Sequence, residues 1–420
     1  MESLPLEIIG NILSRLAAAR DVVVASATCR KWLAARRKHL CSLSFSVGDW
    51  SGYRDHGSNQ AGIWITQTIF QTAKLQSLSL QLEDVEEEFS ASAVVAWLLY
   101  TRETLHSLHY NVRTIEDVNI LEICGRQKLE NLVLSHSCIL GVEPNYYRFD
   151  SLKTLSLSNV SISALDLSLL VSTCPKIEKL DLINPVLAVS DAQVTVEVSS
   201  VTLRHFYIEA TSLDKFVLEA DIIESLHLKS CSLELFELIG KGTLKHFEID
   251  DVSALHLDIG DTVDNLEVVD VRDFTITSPK FFQMISKSAK LRRLRLWDVM
   301  YDDEDEIVDI ETIALCFPQL SHLSLSCDLR EGVLQYGLHG SFKFENVVVL
   351  ELGWTFLNDL FSDWVELMLK CCPNLKKLII NGVVSDLKTQ EECQLLASFT
   401  SAIVCVMREY VNIEVVFQYK

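Results

Sequence analysis

Arg293, Arg295 and Trp297 stand at alternate positions in one short stretch of the chain. A planar guanidinium grips carboxylates through a fixed fork of donors. An indole offers a broad flat contact, so both residue types make strong points at interfaces. His205, Tyr207, His227, His246, Asp270, Arg272 and His322 occupy comparable positions in neighbouring stretches. These ten residues are the candidate surface for holding another molecule. Five of the 11 histidines (109, 205, 227, 246 and 322) fall at such positions. A metal site needs three or four converging ligands. His205 and His246 are two stretches apart, about 10 Å at strand spacing, and His227 stands at a different place in its stretch. No metal is therefore expected. No phosphate-cradling GxxxxGK[ST], dinucleotide GxGxxG or GxSxG elbow occurs, so neither a cofactor nor catalysis is expected. The acidic runs at 83–88 and 302–306 lack the alternating ligands and central glycine of a calcium loop. They read as solvated charge at a rim, suited to steering a basic partner. Asn159-Val160-Ser161 has the form of a glycosylation acceptor, but no secretion signal accompanies it.

The elements that must position these residues repeat. From Leu75 onward one phrase recurs: apolar, two residues, apolar, one residue, apolar. It runs from Leu75/Leu78/Leu80 to Leu375/Leu378/Ile380 in thirteen copies, with a mean step of about 25 residues. Weaker copies flank it at Leu40/Leu43/Phe45 and Tyr410/Ile413/Val415. The last two apolar residues of each phrase alternate with polar ones, the period of a half-buried strand. One such unit buries too little to offset the entropy of ordering itself, so the units must stack. The expected fold is α/β, a leucine-rich-repeat solenoid with a parallel-strand horseshoe. Residues between and beside the second and third apolar positions then line its concave face. The spacers at Ala91–Thr101 and residues 279–287 are long enough for helices. From Leu203 to Leu266 the step shrinks, and second short strands are expected at 216–218, 235–238 and 254–257. Cys174-Pro175, Cys316-Phe317-Pro318 and Cys372-Pro373 each read as the end of a helix before a repeat strand.

The chain has 420 residues, 49% hydrophobic and 23% charged, the balance of a folded protein. No apolar run is long enough to span a bilayer, and the N-terminus lacks the layout of a secretory leader. The net charge of −21 repels nucleic-acid phosphates, so neither nucleic acid nor membrane is an expected partner. Residues 1–50 depart from this, with seven Lys and Arg against four Asp and Glu, a basic head on an acidic body. The 12 cysteines are scattered, with no CxxC pair, and read as reduced buried thiols.

Residues 4–38 break the repeat. Pro5 suits a first helical turn with Glu7 at its positive end, and Ile8, Ile9, Ile12, Leu13 and Leu16 form an apolar stripe. Asp21 suits the cap of a second helix carrying Val22, Val23, Val24 and Ala25. A third holds Cys29 and Trp32 among Arg30, Lys31, Arg36, Arg37 and Lys38. Three helices in about 40 residues make a marginal core, so the module packs on the first repeat or offers its stripe to a partner.

The series Leu4-Pro5, Glu7-Ile8, Ile12-Leu13, Leu16, Asp21, Val22–Val24 and Cys29-Arg30-Lys31-Trp32 resembles the F-box motif, with Ala17 where many F-boxes carry proline. F-box followed by leucine-rich repeats is similar to the F-box/LRR family, above all its plant members. The resemblance implies an F-box over 1–39 and a solenoid over 40–420. It implies a non-catalytic role: the box binds a Skp-type adaptor and through it a cullin, while the solenoid holds a protein substrate for an SCF ubiquitin ligase in nucleus or cytoplasm. Leu4, Pro5, Ile8, Ile12, Leu13, Leu16, Val23 and Trp32 match positions of the box core or its adaptor face, and the basic run 30–38 suits an acidic adaptor. A leucine-rich-repeat scaffold or inhibitor outside the ubiquitin system is the alternative reading. A second alternative is a small-molecule co-receptor, for which Arg272, Lys290, Arg292, Arg293 and Arg295 are the comparable cationic group.

Overall fold

A computed structural model describes the chain except for residues 1–3, 17, 50–56, 84–87, 126, 144–147, 188–194, 277–280, 302–309, 328–341, 355–358, 383–389 and 420. It divides into two compact units, Met1–Thr211 and Ser212–Lys420. The acidic run at 302–306, most of that at 83–88, and Ala17 lie outside the described residues.

The first unit opens with three helices, α1 (Leu6–Leu16), α2 (Ala19–Ala27) and α3 (Arg30–His39). Parallel strands follow: β1 (Ser42–Ser46), β2 (Ser77–Gln81), β3 (Ser107–Asn111) and β4 (Asn131–Ser135), then β6 (Thr154–Ser158) and β8 (Lys179–Ile183). Between them lie helices α4 (Gly57–Phe70), α5 (Ala91–Thr101), α6 (Ile120–Cys124) and α7 (Ala164–Ser172). The short strands β5 (Cys138–Ile139), β7 (Ser161–Ile162) and β9 (Val186–Leu187) form a second parallel sheet. After β10 (Thr195–Ser199), strand β11 (His205–Glu219) carries the chain from the first unit into the second, and its residues 205–209 pair with β8.

In the second unit β12 (Ser225–Ile239), β13 (His246–Asp258), β14 (Val268–Ile276) and β15 (Arg293–Tyr301) pair in parallel. So do β16 (His322–Cys327), β17 (Val349–Trp354), β18 (Lys377–Gly382) and β19 (Glu414–Tyr419). Helices α8 (Phe281–Ile285), α9 (Ile310–Cys316), α10 (Asp359–Cys371) and α11 (Gln390–Met407) fill the later spacers.

All thirteen repeat phrases become strands, each beginning two residues after the first apolar residue. Every one of their apolar residues is at most 7% exposed. Stacking in register is what buries them: Leu226, Phe247, Val269, Leu294, Leu323, Leu350 and Leu378 form one continuous row. The last copy sits elsewhere than the spacing indicates. β18 pairs Leu378 with Val415 and Ile380 with Phe417, so the half-buried Val415 and Phe417 continue the core rows, two residues on from Ile413 and Val415. An alternating pattern fits either register equally; backbone pairing selects one.

The mid-chain second strands form, but as continuations of the first ones. β11, β12 and β13 run unbroken past a single residue in the left-handed region: Ala210, Ser230 and Asp251. The same place in other repeats is held by His136, Asn159, Asn184, Asp273 and Asp298, all with φ between 46° and 55°. These corners turn the strand so that the residues beyond it, such as Phe216, Phe236 and Phe274, pack beneath the sheet fully buried. Asn, Asp and His tolerate this backbone best, and Asn184 donates to the Asn159 side-chain oxygen at 2.6 Å, linking successive corners. Cys174 closes α7 by donating to Leu170 O at 3.3 Å, as a cysteine before a proline at a helix end should. Cys124, Cys174, Cys231 and Cys372 are buried free thiols, and burial pushes those of Cys124 and Cys174 up to about 12.

Candidate functional site

In the helical module, α1 is two-faced. Ile9 and Leu13 are fully buried, and Gly10 lets α3 approach so closely that a Cβ there would run into His39. The opposite face leaves Ile8 44%, Ile12 39% and Leu16 40% exposed at four-residue spacing. Of the residues matched to the box, Leu13 therefore belongs to the core. Ile8, Ile12, Leu16 and Pro5 face outward, and Leu4, Val23 and Trp32 are half-buried. The module also packs on the first repeat: Ala18 bridges Ser44, and Cys41 N donates to Ser14 Oγ at 3.0 Å. Of the two alternatives for its small core, packing on the first repeat is realised, while the stripe of Ile8, Ile12 and Leu16 stays exposed. Two local expectations change. α2 begins at Ala19, so Asp21 lies in its first turn as a favourable charge and does not cap it. Arg36 leaves the basic face and turns inward, 5% exposed, to Ser26 Oγ at 3.3 Å and Gln71 Oε1 at 3.4 Å.

The first unit's open sheet face is hydroxylic and amide-rich. Gln81 meets His109 at 3.2 Å, and Glu83 gathers His136 at 2.6 Å, Asn111 at 3.3 Å and Arg113 at 3.3 Å. His205 is exposed, and Tyr207 donates to Glu209 at 2.5 Å.

Strand register arranges the second unit's face in rows. Arg293 aligns with His322; Asp270 with Arg295, Ser324 and Glu351; Arg272 with Trp297, and Ser326 with Gly353. His246 and His227 lie toward the other end, His227 beside Glu248 at 3.5 Å. The middle row is a buried polar chain. Arg295 bridges two carboxylates, Asp270 at 2.7 Å and Glu351 at 2.6 Å, and reaches Ser324 at 3.3 Å. Ser324 donates to Glu351 at 2.8 Å and accepts from Trp297 Nε1 at 2.7 Å; Asn381 donates to Glu351 at 2.6 Å. Burial alone would push the Glu351 carboxyl up, but His322, Arg295 and Ser324 outweigh it and hold the group well below the usual carboxylate range. Trp297 lies across the sheet over Gly353, where a Cβ would meet its ring at 3.3 Å, and the Arg295 guanidinium sits 5.5 Å from its centroid.

The structure thus brings Asp270, Arg272, Arg293, Arg295, Trp297 and His322 together, and gives Arg295 a role other than outward contact. It adds two residues that residue type alone did not mark, Ser324 and Glu351. The available signal was an acid set between Leu350 and Leu352, next to the glycine that admits the indole. Among the described residues no three metal-capable side chains gather, and no helix is long and apolar enough to cross a membrane.

A short helical module with an exposed apolar stripe, followed by stacked leucine-rich strands, defines the class as a helical module ahead of a leucine-rich-repeat solenoid. The F-box-like family matches residues 1–40, and the family described as FBD-associated F-box protein At5g56370, LRR repeats, matches 105–263. The chain is 63% identical over 420 residues, the full length of both, to the F-box/LRR-repeat protein At1g67190 of Arabidopsis thaliana. It belongs to the F-box/leucine-rich-repeat proteins. F-boxes in general bind Skp-type adaptors, and proteins of this class are generally non-catalytic.

Proposed function

We propose that this protein is the substrate-recognition subunit of an SCF-type ubiquitin ligase, with residues 1–39 gripping a Skp-type adaptor, and through it a cullin, and residues 40–420 holding a protein substrate. It performs no catalysis itself and works in nucleus or cytoplasm. The observation that carries this reading is the outward stripe of Ile8, Ile12 and Leu16 on a module whose other face is packed. Three large aliphatic side chains at 39–44% exposure on one helix face cost solvation unless a partner covers them. The same module carries Arg20, Arg30, Arg37 and Lys38 exposed, which favours an acidic adaptor. The substrate surface proposed in the second unit centres on Arg272, Arg293 and Trp297, with His227, His246 and His322 around them and Arg295 and Asp270 beneath; His205 and Tyr207 are the first unit's candidates.

Co-purification with a Skp-type adaptor tests the reading. A stoichiometric complex with the full chain, lost in the double variant Ile8→Glu/Ile12→Glu while thermal unfolding is unchanged, is the expected result. A folded protein that ignores the adaptor would move the reading to a scaffold outside the ubiquitin system.

A further inference from the structure

The outermost strand of the second unit is β19, whose one strand neighbour among the described residues is β18. Val415 and Phe417 continue the core rows but stay half-buried, whereas Leu378 and Ile380 one strand inward are 0% exposed. Glu414 N donates to Lys376 O at 2.9 Å, toward β18. Backbone groups alternate in direction along a strand, so the N–H and C=O of Val415 and Phe417 point away from β18. Proline and charge are the usual guards of such an edge. From 414 to 419 there is no proline and one charged side chain, Glu414, which Lys377 engages at 3.2 Å. Helix α11 is open on the same side. Phe399 turns toward α10, its ring centroid 5.6 Å from that of Phe361. At 3.6 residues per turn, Cys393, Leu396, Ala397, Thr400, Ser401 and Val404 centre about 130° round the helix from Phe399, on the flank turned away from α10. They line a shallow groove of about 540 Å³, and Val404 is 49% exposed. The first unit's outermost strand is different: the helical module covers β1, through the Ala18–Ser44 bridge and the Cys41–Ser14 bond.

From this we infer that the β19–α11 face of the second unit is a two-fold interface with a second copy of this chain. Charge selects the occupant. Residues 393–407 and 415–419 contain no charged side chain, in a chain that is 23% charged with a net charge of −21. A two-fold contact sets each charge near its own image, so such a chain repels its copy except through a neutral face. The same neutrality offers nothing to a basic or an acidic partner. The geometry closes as well. A two-fold axis normal to the sheet at Val416 makes the two β19 strands antiparallel. Val415 then faces Phe417 of the second copy, and the outward N–H and C=O groups of that pair bond to each other. Glu414 faces Gln418 and not another acid. The same axis brings the two α11 flanks together on one side of the joined sheet. A face about 27 Å long, the length of the 18-residue α11, and about 20 Å across covers on the order of 600–800 Å² per partner, near the lower limit of a stable dimer. Because the module covers β1, the contact closes at two copies and builds no filament.

Sedimentation equilibrium of the full chain, without adaptor, tests this. The expected result is a species of twice the chain mass, half-formed at about micromolar concentration. Ala397→Glu/Ser401→Glu sets like charges against each other across the axis and should weaken dimerisation by about tenfold or more. Both positions are exposed, so melting at a concentration where the chains are monomeric should stay unchanged. Gln418→Lys should tighten the dimer about threefold by meeting Glu414, and Gln418→Glu should weaken it by about the same factor. A wild-type chain that is monomeric at about 100 µM, whatever else then binds this face, overturns the inference. So does a dimer that survives Ala397→Glu/Ser401→Glu, or one whose dissociation constant is the same in both Gln418 variants. None of these readings involves adaptor capture, so the interface stands or falls independently of the ligase reading.

Discussion

At the scale of the residue, what distinguishes this protein is a carboxylate. Glu351 is 7% exposed yet ionised, because Arg295, His322, Ser324 and Asn381 converge on it. Removing one member of such a buried pair strands the other, so Glu351→Ala should cost roughly 3–5 kcal/mol in chemical denaturation at neutral pH. The pH dependence has a definite sign. A carboxyl held below its ordinary value contributes stability above about 4.5, the value it regains on unfolding, and that contribution is lost as pH falls toward the folded value. Wild-type protein should therefore lose more stability between pH 6 and pH 3 than Glu351→Gln does; equal losses would place the charge elsewhere. Residue types made Arg293, Arg295 and Trp297 legible as a cluster. They did not reveal that Arg295 faces two carboxylates, because alternation along one strand says which side a residue is on and nothing about what stands one or two strands away. Asp270 and Glu351 are 81 positions apart in the chain and are joined only through Arg295, which strand register sets between them.

At the scale of the element, the leucine phrase was legible throughout because burial repeats at the period of the strand and each copy meets its like. What the period could not convey is the corner. Eight successive repeats place a left-handed residue directly after the fifth position of the strand, and two of these are Ala210 and Ser230, which gain little there from their side chains. An L-residue with a Cβ pays about 1–2 kcal/mol in that region, while glycine gives back part of the gain through its freer unfolded chain. Ala210→Gly should thus raise the unfolding free energy by about 0.5–1 kcal/mol. The reverse case, Asn184→Val, removes the side-chain bond to Asn159 and puts a β-branched residue at φ 47°, and should destabilise by 2 kcal/mol or more, on the order of those strain and hydrogen-bond costs combined. Urea titrations of the two variants, read together, check whether the corners are a strained or a neutral part of the fold. The two-residue shift of the last repeat has the same origin: spacing supplies periodicity, and only pairing supplies phase.

At the scale of the whole molecule, the repeat phrase passes through residue 211 without interruption, and β11 itself crosses from one compact unit to the other. A boundary inside a strand leaves no mark in composition, which is why it was not readable. The electrostatic asymmetry was readable, and it has a kinetic consequence. Residues 1–50 carry a net positive charge while the chain as a whole carries −21, so an acidic adaptor approaching the module is attracted by the head and repelled by the rest. Near physiological ionic strength the screening length is about 8 Å. Added salt then suppresses the long-range repulsion of the body before it fully screens contacts made at the module itself, and the apolar stripe is indifferent to salt. The association rate with the adaptor should accordingly depend only weakly on salt between about 50 and 300 mM, unlike a purely basic docking peptide, whose rate falls steeply. Reversing the exposed charges Arg30, Arg37 and Lys38 to glutamate should make the rate rise with salt and lower it at every concentration, with the dissociation rate little changed, because exposed rim charges act chiefly on encounter. Stopped-flow association of the full chain with the adaptor reads both quantities. A dissociation rate that rises tenfold in the charge-reversed variant would mean those side chains are buried contacts, and the division between an apolar grip and a basic guide would have to be redrawn.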